Sequence, residues 1–393
     1  MPEEFFTGNR AAAEAAKLAR VQVVAAYPIT PQTSAVEYIS QFINDGEMNA
    51  RMIRVESEHS ALSAVVGASL VGARAFTASS SQGLQLMSEV LYFASGMRVP
   101  IVMGIANRTL SMPVNIWADH QDSMVNRDSG WIQFYCSNAQ EVLDNILQAY
   151  RICEDGDVLL PAMVCYDGFI ISHVAERMDV PTQEEVDSFL PEPNDTDRPL
   201  LDTKKPLQFG EVVYPDWYPD FEYKKHKALL ESREKMEDVA KQYDELFHRS
   251  YGMVENYLAE EADILFIGLG SLTSTTRWAV DRLREKGRNV GLTAIRVFRP
   301  FPDREIVEVC RKAKVVAVMD RDIGYGTTGM LYPDITRALY PLDERPTCLN
   351  FIIGLGGKDV RPETIMRIYE TCERALQGES VESVNWPDAR TYD

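Results

Sequence analysis

A chain of 393 residues exceeds the usual size of one compact core, so two folding units are expected. Its 45% hydrophobic and 25% charged residues match a globular protein and exclude a disordered or fibrous one. A formal charge of −19 repels phosphodiester backbones and anionic lipid, which are bound through clustered Lys and Arg, so neither nucleic acid nor a membrane surface is an expected partner.

The first residues lack a basic start followed by an apolar run, and no later apolar stretch reaches bilayer length; the expected location is the cytoplasm. Cys136, Cys153, Cys165, Cys310, Cys348 and Cys372 are scattered without any C-x-x-C pair, so they read as reduced core thiols. If the protein takes part in electron transfer, its iron–sulfur clusters sit on another chain.

From about residue 8 to residue 175, short β-branched runs alternate with amphipathic stretches. VQVVAAYP precedes the helix-like PQTSAVEYISQFIND, RMIRVES precedes HSALSAVVGASLVG, and ARAFTASSS precedes SQGLQLMSEVLYFASG. VPIVMGIANR, AQEVLDNILQAYRICED and LLPAMVCYD complete the series. Such alternation predicts βαβ units on a parallel sheet. Residues 180–225 are rich in Pro and Asp without a sustained period, which predicts an extended arm. Its aromatics, Trp217 among them, suit a neighbouring subunit or the arm's own domain equally. A charged helical stretch follows, and from Ala262 the alternation restarts through ADILFIGLG, NVGLTAIRVFRP, KVVAVMD and LNFIIGLGG. The expected division is a first domain over 1–235 with its arm, a connecting helix over 236–258, and a smaller α/β domain over 259–393.

Two glycine turns invite a nucleotide reading. Gly268-Leu269-Gly270 has Thr273 where a third glycine would stand, and Gly324-Tyr325-Gly326-Thr327-Thr328-Gly329 is a literal G-x-G-x-x-G. Neither has the acidic residue expected about twenty positions on; Arg296 and Gly354 stand there. Both read better as tight strand-to-helix turns.

Three segments of the first domain stand at strand ends, where open α/β sheets place ligands. In Tyr27-Pro28-Ile29-Thr30-Pro31, Pro31 drives Thr30 out of helical torsions; its hydroxyl either faces a ligand or caps the next helix. Glu58, in Glu56-Ser57-Glu58-His59, sits where an apolar strand gives way to an apolar helix. A buried carboxyl there could share a proton with a ring nitrogen, or favour the helix N-terminus as any acid does. Arg108 ends the apolar run Val102–Asn107 and suits a small carboxylate, or an ion pair with Asp119 or Asp122. Ser79, Ser80, Ser81, Gln82 and Gly83 form a further strand-to-helix turn, explained by capping or by proximity to a ligand.

In order, the runs YPITP, ESEHSALSAVVGASLVGARAFTASSSQGLQLM and ANRTLSMPVNIWADHQDSMVNRDSGWIQ resemble the alpha subunit of 2-oxoacid:ferredoxin oxidoreductases. In weaker form the likeness extends through the arm and the RVFRPFP segment. It implies a thiamine-diphosphate-binding, pyrimidine-type parallel-sheet domain followed by a transketolase C-terminal-like α/β domain. It implies thiamine diphosphate shared with a beta-type subunit that binds the diphosphate and Mg2+, with iron–sulfur clusters on ferredoxin-like and gamma-type subunits, ferredoxin as acceptor and coenzyme A as acyl acceptor. No metal ligands are expected here, since the G-D-G motif with its Asn pair is missing and Asp155-Gly156-Asp157 is only an echo. By the same likeness Glu58 hydrogen-bonds the aminopyrimidine and favours its imino form. Pro28, Ile29, Ser81, Gln82 and Gly83 stand close to the cofactor, and Thr30, Arg108 and Asn115 form the substrate side.

The segment Ser111–Trp117 resembles the pyruvate and branched-chain members, and the hydroxyl of Thr30 suits a monocarboxylate. The resemblance therefore implies a pyruvate synthase subunit, with 2-oxoisovalerate as the alternative substrate. Two rival classes are a non-catalytic scaffold, which would be marked by loss of Glu58 or Arg108, and a nicotinamide dehydrogenase built on the glycine turns.

Overall fold

A computed structural model describes residues 3–110, 112–193 and 198–390. The first unit is a seven-stranded sheet with the spatial order Val297–Arg299, Ile132–Cys136, Ala162–Asp167, Val102–Asn107, Ala75–Ser79, Val23–Ala26 and Arg51–Arg54. All of its pairings are parallel except that of Val297–Arg299. The strands Ala75–Ser79, Val102–Asn107, Ile132–Cys136 and Ala162–Asp167 are buried throughout, as a parallel sheet covered by helices on both faces requires. One covering helix, Gly8–Leu18, carries five fully buried alanines. Methyl-sized side chains let it pack against both Thr33–Asn44 and Ala139–Cys153.

The second unit is a six-stranded sheet ordered Val384–Asn385, Thr347–Ile352, Val315–Asp320, Ile264–Gly268, Val290–Ile295 and Val254–Tyr257, the last strand antiparallel. This two-unit α/β architecture is the expected fold class. A small antiparallel pair, Glu3–Thr7 with Ala175–Asp179, was not legible in the sequence.

Three local readings change. The run NVGLTAIRVFRP is not one strand: it divides at Arg296, and Val297–Arg299 crosses to pair antiparallel with Ile132–Cys136 on the edge of the first sheet. Crossing covers an edge that would otherwise present unpaired backbone groups. The run SQGLQLMSEVLYFASG forms two helices, Ser81–Leu86 and Ser88–Gly96, divided at Met87. The charged helix begins inside the arm and spans Tyr218–Phe247. Buried Asp144 fixes its far end by accepting hydrogen bonds from Tyr243 Oη (2.7 Å) and Arg249 Nε (2.6 Å).

The two units meet over a buried polar cluster. His120 Nε2 lies 2.8 Å from Asp167 Oδ1, and Asp167 Oδ2 lies 3.1 Å from Arg321 Nη1 and accepts from the Ser271 backbone N–H at 2.8 Å. Asp167 is the last residue of a first-sheet strand, while Arg321 and Ser271 follow strands of the second sheet. Burial pushes the Asp167 carboxyl up, but Arg321 and His120 outweigh it and hold the group well below the usual carboxylate range.

Candidate active site

The sheet order creates a cleft before any side chain is considered. Strand Val23–Ala26 lies between Arg51–Arg54 and Ala75–Ser79, so the chain leaves it towards one side and returns on the other. The loops after Val23–Ala26 and Ala75–Ser79 therefore part at their carboxyl ends, which is where open α/β sheets bind ligands. Those loops carry Pro28, Ile29 and Thr30 on one side and Ser81, Gln82 and Gly83 on the other.

The local structure separates the readings that the sequence left open. The helix after the first loop is Thr33–Asn44 with Gln32 at its N-cap, so Thr30 does not cap it. Thr30 is exposed. At the second segment Ser57 is the cap, with its hydroxyl accepting from the Ser60 N–H at 3.2 Å. Capping is thus complete without Glu58, which is 6% exposed and receives no hydrogen bond from the described residues. Its carboxylate lies against Gly83: a Cβ there would stand 2.5 Å from Glu58 Oε1 and 2.8 Å from Ser79 Oγ. Only a glycine gives the carboxylate that place. Ser79 Oγ is itself buried without a partner among the described residues, and so are both amide atoms of Gln32. Buried polar atoms are rarely left unpaired, and the Glu58 carboxylate and Ser79 hydroxyl, both against Gly83, form the kind of donor and acceptor set that a polar aromatic ring can fill. The residues present fit an aminopyrimidine.

Arg108 does not pair with Asp119 or Asp122 through its guanidinium. Its Nη1 donates to the Thr30 carbonyl at 2.9 Å and its Nε to the Asn115 carbonyl at 3.3 Å, which brings Thr30, Arg108 and Asn115 together. Asp122 instead accepts the backbone N–H groups of Ser81 (2.8 Å) and Arg108 (3.0 Å) on one oxygen, and Asn107 Nδ2 (2.8 Å) and the Ser123 N–H (2.8 Å) on the other. One fully buried carboxylate thereby ties the Ser81–Gly83 turn to the loop that begins at Arg108. Ser81 has φ +51°, a left-handed torsion that costs a non-glycine residue about 1–3 kcal/mol and is held by its surroundings. The sequence offered Asp122 only as a counter-ion for Arg108, within the polar run Asp119–Ser123. The side-chain amide of Asn115 donates to the Gly356 carbonyl (3.0 Å) and accepts from the Trp117 N–H (2.7 Å). Ser111, at the start of that segment, lies outside the described residues.

The glycine turns have other work. At Gly324–Gly329 the amides of the following helix are taken: Met330 N–H donates to Asp322 (2.7 Å) and Leu331 N–H to Asp320 (2.7 Å). A pyrophosphate would have to displace two buried carboxylates. Gly270, with φ +66°, packs against His120 and Asp167. Both are tight turns, as their missing acidic partners implied. Among the described residues no group of three or more His, Cys, Asp or Glu side chains is placed to hold a metal ion, and no helix is long and apolar enough to cross a membrane.

Burial pushes Asp119 up to about 7, helped by Asp122, and Asp122 up to about 6. Burial also raises the neighbouring Asp320 and Asp322. Each binds its proton more tightly folded than unfolded, where the value is about 3.9. Stability therefore rises as pH falls from 8 towards 5, and thermal melts across that range should show it. Asp322→Asn should reduce the slope; an unchanged slope would assign it to overall charge repulsion instead.

Comparison with known proteins places the chain in a family. A family profile described as pyruvate flavodoxin/ferredoxin oxidoreductase, thiamine diphosphate binding, covers residues 14–241, and one described as pyruvate:ferredoxin oxidoreductase core domain II covers residues 262–365. The pyruvate synthase subunit PorA of Methanothermobacter thermautotrophicus is 50% identical over 373 residues, 94% of this chain and 96% of that one. The ketoisovalerate oxidoreductase subunit VorA of Pyrococcus horikoshii is 44% identical over 382 residues, 97% and 96% of the two chains. In fold, the chain resembles the 2-oxoglutarate:ferredoxin oxidoreductase of Magnetococcus marinus (TM-score 0.70, 20% identity), covering 94% of this chain and spanning 65% of that one. A split-gene transketolase resembles it more distantly, with TM-score 0.50 and 12% identity over 94% of this chain and 98% of that one. The chain belongs to the pyruvate flavodoxin/ferredoxin oxidoreductase family, as its alpha-type subunit, with the thiamine-diphosphate-binding unit first and core domain II after it.

Proposed function

We propose that this chain is the alpha-type subunit of a cytoplasmic pyruvate synthase, which converts pyruvate and coenzyme A to acetyl-CoA and CO2 while ferredoxin takes up the electrons, reversibly. The observation that carries the reading is the buried Glu58 carboxylate, free of any partner among the described residues and seated against Gly83 at the cleft. Around it Pro28, Ile29, Ser81, Gln82 and Gly83 would hold the aminopyrimidine of thiamine diphosphate. When bound, that cofactor supplies a nucleophilic thiazolium carbon and an electron sink for decarboxylation.

The chain's own groups supply a proton contact and a charge contact. Glu58 would hold a proton against a ring nitrogen, which favours the imino form of the aminopyrimidine. Arg108 would bind the substrate carboxylate as a charge-assisted pair, beside the Thr30 hydroxyl, with Asn115 shaping the wall. A beta-type subunit would bind the diphosphate and Mg2+, and gamma-type and ferredoxin-like subunits would carry the iron–sulfur clusters. The identity to pyruvate synthase subunits favours pyruvate over 2-oxoisovalerate.

The test is anaerobic purification of the chain with its native partners, followed by coenzyme A-dependent dye reduction with pyruvate and 2-oxoisovalerate in parallel. Pyruvate is expected to be the better substrate. A complex that retains thiamine diphosphate and its clusters yet reduces no dye with any 2-oxoacid would sink the proposal. In the same assay Arg108→Ala should raise KM and lower kcat/KM, by an amount equivalent to ~2–5 kcal/mol if bound substrate buries the charge pair of this half-buried guanidinium. Unchanged kinetic constants would remove the carboxylate role.

A further inference from the structure

We infer that the glycine turn Gly354–Gly357 of the second α/β unit positions the substrate side of the site and so sets the preference among 2-oxoacids. The inference rests on the function proposed above. Its ground is a set of contacts that tie this turn to the loop running from Arg108 to Asp119. Gly356 accepts from Asn115 Nδ2 at 3.0 Å, its N–H reaches Asp119 Oδ2 at 3.3 Å, and the Gly357 N–H donates to the Ala118 carbonyl at 2.7 Å. Asn115 in turn receives Arg108 Nε and Thr109 Oγ1 on its carbonyl oxygen, the latter at 2.7 Å. The turn thus reaches the guanidinium of Arg108 through one intervening residue.

Shape adds to the hydrogen bonds. Gly354, Gly356 and Gly357 all have positive φ, at +67°, +61° and +75°, torsions that L side chains rarely adopt. A Cβ on Gly356 would stand 2.7 Å from Asn115 Nδ2, and one on Gly357 would overlap the Trp117 side chain. The turn is itself anchored from below: Arg321 Nε donates to the Gly354 carbonyl at 3.0 Å, and Arg321 belongs to the buried cluster with Asp167. Met112, Val114 and Trp117, on the same loop, present exposed apolar side chains (80%, 67% and 51%) that could form a wall against the substrate's alkyl group. Among the described residues, none of the second unit hydrogen-bonds the Ser81–Gly83 turn, whose ties run to Asp122 and Thr109. Arg108 is one residue from the turn and Ser81 is two, through Asn115 and Thr109, so a change in the turn should act on substrate far more than on cofactor.

The test uses the assembled complex with Gly356→Ala, Gly357→Ala and Trp117→Ala. Steady-state constants are measured with pyruvate and 2-oxoisovalerate, and thiamine diphosphate affinity is measured by fluorescence quenching. The glycine variants should raise KM for pyruvate ~10- to 100-fold, as misplacement of a positioning loop does. They should alter the pyruvate to 2-oxoisovalerate ratio and leave cofactor affinity unchanged. Trp117→Ala, which removes an exposed ring and spares the fold, should shift the ratio towards 2-oxoisovalerate, and it decides the matter if the glycine variants fail to assemble. Unchanged KM and ratio would overturn the inference, and so would loss of cofactor affinity in step with activity. A wild-type complex inactive on both acids would mark failure of the proposed function itself.

Discussion

Replacing Glu58 by Gln should leave the fold and thiamine diphosphate binding intact and cut turnover of the assembled complex by ~10²–10⁴-fold, the range over which one positioned proton-transfer group acts. The fold should survive because the helix cap is Ser57 and not Glu58, and because the amide has the shape of the carboxyl and fits the same space against Gly83. What is lost is the ability to hold a proton on the ring nitrogen, since an amide neither ionises nor carries a transferable proton near neutral pH. The check is a paired measurement of kcat and of cofactor affinity. Loss of both would mean that Glu58 serves binding, and full activity would remove it from the mechanism.

The largest expected stability effect lies away from the cleft. Asp167→Asn should destabilise the protein by about 3–5 kcal/mol, because it leaves the fully buried Arg321 guanidinium without its counter-charge. In a chain of this size the melting temperature should fall by roughly 4–6 °C. The sign of the pH dependence follows from the depressed Asp167 carboxyl. Its contribution is fully present above the unfolded value of about 3.9 and is lost only as pH falls through the lower folded value. The gap between wild type and variant should thus stay constant from pH 5 to 8 and narrow only below about pH 4. A gap that closes near neutrality would show that Asp167 is not the charged partner. Because Arg321 also holds Gly354, the same variant should loosen the turn that steadies Asn115.

The strand ends were legible in the sequence where their signals are written in consecutive residues. Tyr27–Pro31, Glu56–Ser60 and Ala106–Arg108 each stand at the carboxyl end of a strand of the parallel sheet, and such a sheet gathers those ends at one edge, so their placement there was implied by the alternation itself. The glycine turns were also legible, because a missing acidic partner is visible in the letters. Asp122 was read only as a counter-ion for Arg108. Its hydrogen bonds to backbone N–H groups at Ser81 and Arg108 join loops 27 residues apart in sequence, and no periodicity reports a bond to a main-chain group.

The amino-acid sequence by itself determined two α/β units, a parallel sheet in the first, and the three strand-end segments that form the cleft. These follow from local rules: hydrophobic period, turn chemistry, and the placing of loops at strand ends. Only the tertiary structure decided which alternative held at each residue. Ser57 and Gln32 occupy the caps, which leaves Glu58 and Thr30 for the cleft. Val297–Arg299 joins the first sheet instead of the second, and the Gly354–Gly357 turn reaches back to Asn115 across 241 positions. Such pairings are chosen by which buried groups can satisfy one another once the units have packed, and that choice depends on the whole chain.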